Sequence, residues 1–281
     1  MRPRKRATST RAASIPSIEV PDIKPTTRSV VVCEPVAGML RVADMSVAPA
    51  PAILSEAELA EINERFETAR PEEILAWATS RFPRGTVLTC SFQHEGVVLA
   101  HMLRSIKPDV PVLFIDTGYH FPETLEYRDT IVRLLDLPLV VLRADGSSGR
   151  GRPEDPDECC RINKVEPLQR ALRQVRVWIN GRRRDQTPER RNMPHVEPQG
   201  SLIKVNPLAR WTARDAFRYL SAHHLPLHPL FERGYTSIGC KPCTTRPLPG
   251  SDERSGRWAG SPKRECGIHT ILDAAALSPE E

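Results

Sequence analysis

Cys159 and Cys160 stand side by side in DECCRINK, and Cys240 and Cys243 form a C-x-x-C in GCKPCTTRP. Neighbouring residues have Cα atoms about 3.8 Å apart across a trans peptide, whereas a disulfide usually needs about 4.4–6.8 Å and a defined torsion. A bridge within the first pair would be strained, so a third body held by both sulfurs is the better reading. Four thiolates suit zinc or an iron–sulfur cluster. Adjacent cysteines converge awkwardly on one tetrahedral ion, while a cubane offers a different iron at each corner. A 4Fe-4S cluster is therefore placed ahead of zinc, with a redox disulfide between Cys240 and Cys243 as the remaining alternative.

Cys266 lies in SPKRECGIHT, flanked by Lys263 and Arg264 and followed by His269. Cationic neighbours lower a thiol pKa and raise its thiolate fraction. Gly256, Gly260 and Gly267 would let this tail move, so Cys266 reads as a nucleophile rather than an ordinary surface cysteine. Cys90, in the apolar run TVLTC, reads as a small buried hydrophobe, and Cys33 is given no role. The basic residues cluster: Arg182, Arg183, Arg184, Arg190 and Arg191 fall within ten positions, and Arg246, Arg254, Arg257, Lys263 and Arg264 populate the C-terminal fifth. Such runs are either solvated surface or guanidinium forks for phosphate or sulfate.

These residues must be carried by a chain of 281 residues with a net charge of +5 and 40% hydrophobic residues. That length supports one large domain or two small ones. The mild positive charge permits an anionic ligand without demanding nucleic acid. No apolar run approaches the ~18–20 residues that would span a bilayer. The odd number of cysteines, seven, and their spacing point to a reducing cytoplasm rather than a secreted disulfide framework. Residues 1–50 are basic at the start and rich in Pro, Ser, Val and Ala. They read as a disordered extension, with a transit peptide or a true start at Met45 as alternatives.

From Ser55 the pattern becomes regular. Ser55 followed by Glu58 opens a capping-box helix over 55–66, and 71–80 reads as a second helix. Strands are expected at 86–92, 110–116, 137–144, 175–181 and 202–208. Helices are expected at 94–106, 122–135, 159–172 (with Pro167 interrupting or kinking it) and from Thr212 to 224. Alternating strands and helices imply an α/β fold with a parallel sheet covered on both faces. Ligands of such folds lie outside the carboxyl ends of the strands, where Ser91–Glu95, Asp116–Gly118 and Gly181–Asp185 fall. The expected division is 1–50 as extension, 51–235 as nucleotide-binding domain, and 236–281 as the segment with Cys240, Cys243 and Cys266.

Taken together, CCRINKVEPL, GRRRDQTPER, GYTSIGCKPCT and SGRWAGSPKRECGIH closely resemble the assimilatory adenylyl-sulfate (APS) and phosphoadenylyl-sulfate (PAPS) reductase family, over about residues 75–270. The paired cysteines resemble its iron–sulfur branch, which mostly reduces APS. The resemblance implies an adenine-nucleotide α-hydrolase-like fold with a mobile C-terminal segment. It implies a 4Fe-4S cluster on Cys159, Cys160, Cys240 and Cys243. It further implies attack of Cys266 on the sulfur of APS, loss of AMP, and release of sulfite by a thioredoxin- or glutaredoxin-like dithiol. Lys164, one helical turn after Cys160, matches a lysine linking cluster and substrate; Arg254 and Arg257 match a pair gripping the phosphosulfate, and His269 matches another substrate contact. Arg182, Arg183 and Arg184 fall in a motif near the adenosine phosphate, with Arg182 and Arg184 as the candidate contacts and the inward-pointing member left open. The adenosine would lie across Ser91, Phe92, Asp116, Thr117 and Gly118. In SFQHEG the chain has Gln93 where the family commonly has glycine and Gly96 where it commonly has aspartate, which leaves PAPS, or both nucleotides, as the alternative substrate. A homo-oligomer is compatible with the sequence.

A reading from a different class makes the four thiols and the arginines a metal-dependent nucleic-acid binder or redox-responsive regulator. Aromatic residues do not interleave 182–191 and amount to only 5% overall, so stacking on bases is poorly supported. Activation of sulfate or thiolation of tRNA with ATP would want an SGGxDS-type loop, which CSFQHEG does not supply.

Overall fold

The computed structural model of the chain describes residues 54–144, 154–200 and 202–269; the extension expected over 1–50 lies outside them. Six strands form one sheet: β1 (Thr86–Thr89), β2 (Val112–Ile115), β3 (Leu139–Leu142), β4 (Val177–Ile179), β5 (Val196–Gln199) and β6 (Leu202–Val205). Their order is β3-β2-β1-β4-β6-β5. All pairings are parallel except that of β5 with β6.

Side chains alternate across a strand with a period of two, and both faces are used here. Leu88, Val177 and Ile179 point into one core with helices α1 (Glu56–Phe66), α2 (Pro71–Arg81), α3 (His94–Ile106), α4 (Pro122–Leu135) and α7 (Ala213–Ala222). Val87 and Trp178 point into the other, against Leu168 and Leu172 of α6 (Glu166–Leu172). A sheet buried on both faces is what the near-continuous apolar strands required. At the start of α1, Ser55 Oγ accepts from Glu58 N at 3.2 Å and Glu58 Oε2 accepts from Ser55 N at 2.9 Å, so the expected capping box is formed.

The stretch 159–172 is not one α-helix. A short helix α5 (Pro156–Cys160) runs into a π-helical turn, Arg161–Val165, before α6. Pro167 lacks an N–H and cannot bond the carbonyl four residues back. The ladder widens ahead of it, with Glu166 N donating to Arg161 O. The interruption expected at Pro167 thus takes the form of a π-turn, which carries Lys164 just after the cysteine pair.

Strand β5, absent from the sequence reading, contains Pro198, a residue tolerated only at a sheet edge. Asn63 of α1 closes that edge. Its side-chain amide donates to Val196 O and accepts from Val196 N, both at 2.9 Å.

Between 236 and 269 the chain has no α-helix or extended strand, only a 3-10 turn (Lys241–Cys243) and a bridge from Thr244 to Arg257. Ile238 N donates to Gln93 Oε1 at 2.8 Å and Lys241 N to Tyr119 O at 2.7 Å, which dock this segment on the sheet domain. No helix among the described residues is long and apolar enough to cross a membrane.

Candidate active site

The chain runs β1, β2, β3 toward one edge and then returns to place β4 on the other side of β1. The loops leaving β1 and β4 therefore diverge, and that switch point opens a crevice. At the base of the crevice, before the loops part, Gly181 allows close approach to the start of α3: a Cβ there would fall 2.7 Å from Glu95 Cβ. The crevice holds Ser91 and Gln93 from the β1 side, and Asn180 and Arg182 from the β4 side. The irregular C-terminal segment closes it with Cys240, Arg254, Arg257, Cys266 and His269.

The cleft thus gathers Cys266 with Lys164, Arg182, Arg190, Arg254 and Arg257. Two acids answer part of that charge. Arg182 pairs with Glu197 of β5, and Glu265 receives Arg190 at 2.6 Å and Arg254 at 3.4 Å. Among the described residues no carboxylate lies within ion-pair distance of Lys164 or Arg257. Burial works against the charge of Lys164, but the sulfurs of Cys240, Cys266 and Cys160 outweigh it and hold its pKa above the ordinary lysine value. Burial lowers that of Arg257, as does Arg254, with the three sulfurs of Cys266, Cys240 and Cys243 in opposition. For both cations the opposing charge nearby is that of cysteine sulfurs.

Arg257 is seated by its neighbours. Its guanidinium lies against Gly239, where an added Cβ would collide with the guanidinium nitrogens and carbon, and stands 4.6 Å from the Trp258 ring. Gly239 is therefore the space Arg257 occupies, immediately before Cys240. His269 stacks on Trp178 with ring centroids 5.0 Å apart. Burial and the charges of Arg182, Arg190, Lys204 and Arg254 hold its pKa well below the usual histidine value, so the ring is neutral.

All six cysteines among the described residues are free, and Cys159, Cys160 and Cys240 are buried. Thr117 Oγ1 lies 3.2 Å from Cys240 Sγ, and Asn163 Nδ2 lies 3.7 Å from Cys159 Sγ. Burial pushes the Cys160 thiol up to about 11 against the pull of Lys164. Among the described residues no group of three or more His, Cys, Asp or Glu side chains is placed to hold one metal ion.

Several residues singled out in the sequence do not line the cleft. Phe92 is fully buried and packs edge-on against Phe114; with φ at 55° it turns the chain from β1 toward α3. Asp116 is held by Arg143 at 2.7 Å and accepts from Gly118 N at 3.0 Å, beside the cleft rather than in its wall. Arg184 points away and pairs with Glu67 at 2.5 Å. Of the three consecutive arginines, Arg182 faces the cleft. Arg183, with no solvent exposure, meets Glu95, Asp185 and Glu253. Arg190, part of the same dense arginine run but with no individual role implied by the resemblance, also lines the cleft.

A mostly parallel α/β sheet with its crevice at the switch point is the architecture of an α/β nucleotide α-hydrolase-like fold. Residues 85–246 match the phosphoadenosine phosphosulfate reductase domain. The chain is 43% identical over 235 residues to an adenosine 5′-phosphosulfate reductase of Chelativorans sp. (strain BNC1), covering 80% of this chain and 96% of that one. It is 41% identical over 229 residues to one of Mycolicibacterium smegmatis, covering 76% and 96%. The crystal structure of phosphoadenylyl-sulfate reductase from Candida auris, a phosphate complex, aligns with a TM-score of 0.63 at 28% identity, over 70% of this chain and 100% of that one. The chain belongs to the phosphoadenosine phosphosulfate reductase family.

Proposed function

We propose that this protein reduces adenylyl sulfate to sulfite and AMP, using Cys266 as nucleophile, in the assimilation of sulfate. The observation that carries the reading is the sharing of one switch-point cleft by Cys266 and five cations. The relatives at 43% and 41% identity carry the name of that activity.

The chemical obstacle is charge, because an anionic sulfur must approach a doubly charged phosphosulfate. Cations fixed in advance where that charge sits lower the barrier without reorganising. The Cys266 thiolate attacks the sulfur atom, a bond forms between the two sulfurs, and the bond from sulfur to the bridging oxygen breaks. AMP leaves with that electron pair, and Cys266 becomes an S-sulfocysteine. A thiolate of a thioredoxin- or glutaredoxin-like dithiol attacks Cys266 Sγ and expels sulfite. Its second thiol then resolves the mixed disulfide, so the dithiol supplies both electrons.

In this reading Arg254 and Arg257 hold the phosphosulfate, Arg182 the phosphate side, and neutral His269 contacts the substrate. Ser91 and the backbone after β1 face the nucleotide, with Asp116, Thr117 and Gly118 at the margin. Phe92 and Arg184 act at a distance, by shaping the loop and by holding α1.

Cys159, Cys160, Cys240 and Cys243 are read as ligands of a 4Fe-4S cluster. The donor chemistry fits: all four are free thiols, three of them buried, and the sulfurs of Cys240 and Cys160 help to hold up the charge of Lys164. Separate corners of a cubane also suit the adjacent pair better than one ion does. When bound, the cluster supplies fixed negative charge beside the substrate cations. Its place would be a reducing cytoplasm, in keeping with the free cysteines.

The test is an anaerobic assay with adenylyl sulfate and phosphoadenylyl sulfate in parallel, with a dithiol protein as reductant. Faster sulfite release from adenylyl sulfate is expected. Release from phosphoadenylyl sulfate alone would overturn the substrate assignment, and protein without iron or acid-labile sulfide that kept full activity would overturn the cluster.

A further inference from the structure

Glu265 occupies an unusual position for an acid. It lines the cation-rich cleft, next in sequence to Cys266, and unlike Glu95, the other acid in the lining, which pairs with Arg183, it is held by two arginines of the cleft itself. Its two oxygens are held by different arginines: Oε1 accepts from Arg190 Nη2 at 2.6 Å and Oε2 accepts from Arg254 Nη2 at 3.4 Å. All three side chains are largely withdrawn from solvent, at 11%, 18% and 23% exposure for Arg190, Arg254 and Glu265. Two guanidinium groups, each donating to a different oxygen of one anion, are an arrangement that would also suit a phosphate or sulfate.

We infer that Glu265 is a built-in stand-in for the substrate anion, which neutralises Arg190 and Arg254 in the empty cleft and must be displaced when the nucleotide enters. The inference rests on the function proposed above and assigns a positioning role to a residue that reading leaves idle. Two buried cations with like charge need a counter-ion when no ligand is present. Glu197 supplies one to Arg182 from a strand of the sheet. Glu265 supplies one from irregular chain, where leaving costs no strand pairing. Because the carboxylate and the thiol are consecutive, the event that frees one also acts on the placement of the other. A site already occupied by its own anion binds an incoming one more weakly by the fraction of time it is blocked.

The experiment is calorimetric titration of AMP, a non-reacting probe, into the full-length holoprotein and its Glu265→Gln variant. The glutamine keeps the size and loses the charge. AMP should bind the variant roughly tenfold tighter, a factor expected for removal of one charge-assisted competitor. The KM for adenylyl sulfate should fall as well, without a matching rise in kcat. A residue that only holds the segment in place would give the opposite: weaker AMP binding and a higher KM. Unchanged or weakened AMP binding overturns the inference. Should Glu265→Gln lose its cooperative thermal transition, Glu265→Asp serves instead. Its shorter carboxylate cannot reach both arginines and should give a several-fold tightening, with no tightening counting against the idea. A wild-type protein that neither binds AMP nor releases sulfite from either nucleotide would sink the functional reading itself, a result distinct from normal binding that the variant fails to improve.

Discussion

The wall of the cleft at the ends of β1 and β4 is backed by Leu88, Val177 and Ile179, none with measurable exposure. The opposite wall, residues 236–269, has no α-helix or extended strand and is tied down by point contacts. These include Arg183 to Glu253, Arg190 to Glu265, Lys263 to Asp157 and Ile238 to Gln93. One wall is positioned by burial; the other, with few buried apolar anchors such as Ile238 and Trp258, relies largely on ion pairs and hydrogen bonds. Burial is non-directional and changes slowly with small substitutions. Ion pairs in a buried setting depend on every partner being present. The proposed reaction, in which a nucleotide loop stays still while a nucleophile takes on and gives up a sulfonate, would be served by that division.

The comparison can be broken at chosen residues. Cys266→Ser should show the largest effect. Sulfite release should fall by on the order of 10⁴-fold or more, as when a nucleophile is removed, with the thermal midpoint unmoved because Cys266 is a partly exposed residue on the charge-held wall. Arg183→Ala should lower unfolding free energy by about 2–3 kcal/mol, since it removes the shared partner of Glu95, Asp185 and Glu253, whose partial exposure softens the loss; chemical denaturation would read this. A loss below 1 kcal/mol would mean that ion pairing does not fasten the second wall.

Gly239→Ala sharpens the contrast, because it adds one carbon and removes no charge. The Cβ would occupy the place of the Arg257 guanidinium. Loss of one preorganised donor costs about 2.7–4 kcal/mol of transition-state stabilisation, so kcat/KM should fall by roughly 10²–10³-fold, matching Arg257→Ala. Near-normal kcat/KM would show that Arg257 does not act from that seat.

The burial-held region has its own test. Burial, helped by the charge of His94, pushes His228 down to about 4 from an ordinary 6.5, and the residue has no solvent exposure. The unfolded chain therefore binds a proton below pH 6.5 that the folded protein refuses until about pH 4. Stability contributed by neutral His228 is complete above pH 6.5 and is lost as pH falls through that window. The loss should reach about 2 kcal/mol at pH 5. Urea unfolding at pH 7 and pH 5 should show it in the wild type and a smaller change in His228→Gln.

The same division explains what the sequence made legible. Short apolar runs and helical apolar spacing located β1, β2, β3, β4 and β6 and helices α1 to α4 and α7, because burial writes itself into residue type. Strand β5 escaped because VEPQ has neither alternation nor β-branched enrichment; its place comes from Val205 and from the amide of Asn63. The π-turn was foreshadowed by Pro167 but not its kind, since a missing N–H can be accommodated by a kink or by a wider ladder. Cys266, Lys164, Arg254, Arg257 and His269 were found through motifs and do meet in one cleft. Arg182, Arg183 and Arg184 could not be told apart, because their fates depend on Glu197, Glu253 and Glu67, acids spread far along the chain. Glu265 was hidden for a related reason: an acid beside a nucleophile carries no signal until the arginines around it are seen.

The central claim is that Cys266 attacks sulfur inside the cationic cleft. Incubation of the protein with adenylyl sulfate in the absence of any thiol reductant, followed by peptide mass spectrometry, tests it most directly. A covalent sulfonate on the peptide carrying Cys266, discharged as sulfite by an added dithiol and missing in Cys266→Ser, is the predicted result. Release of AMP with no sulfonate on that peptide, or with the sulfonate on another cysteine, would contradict it.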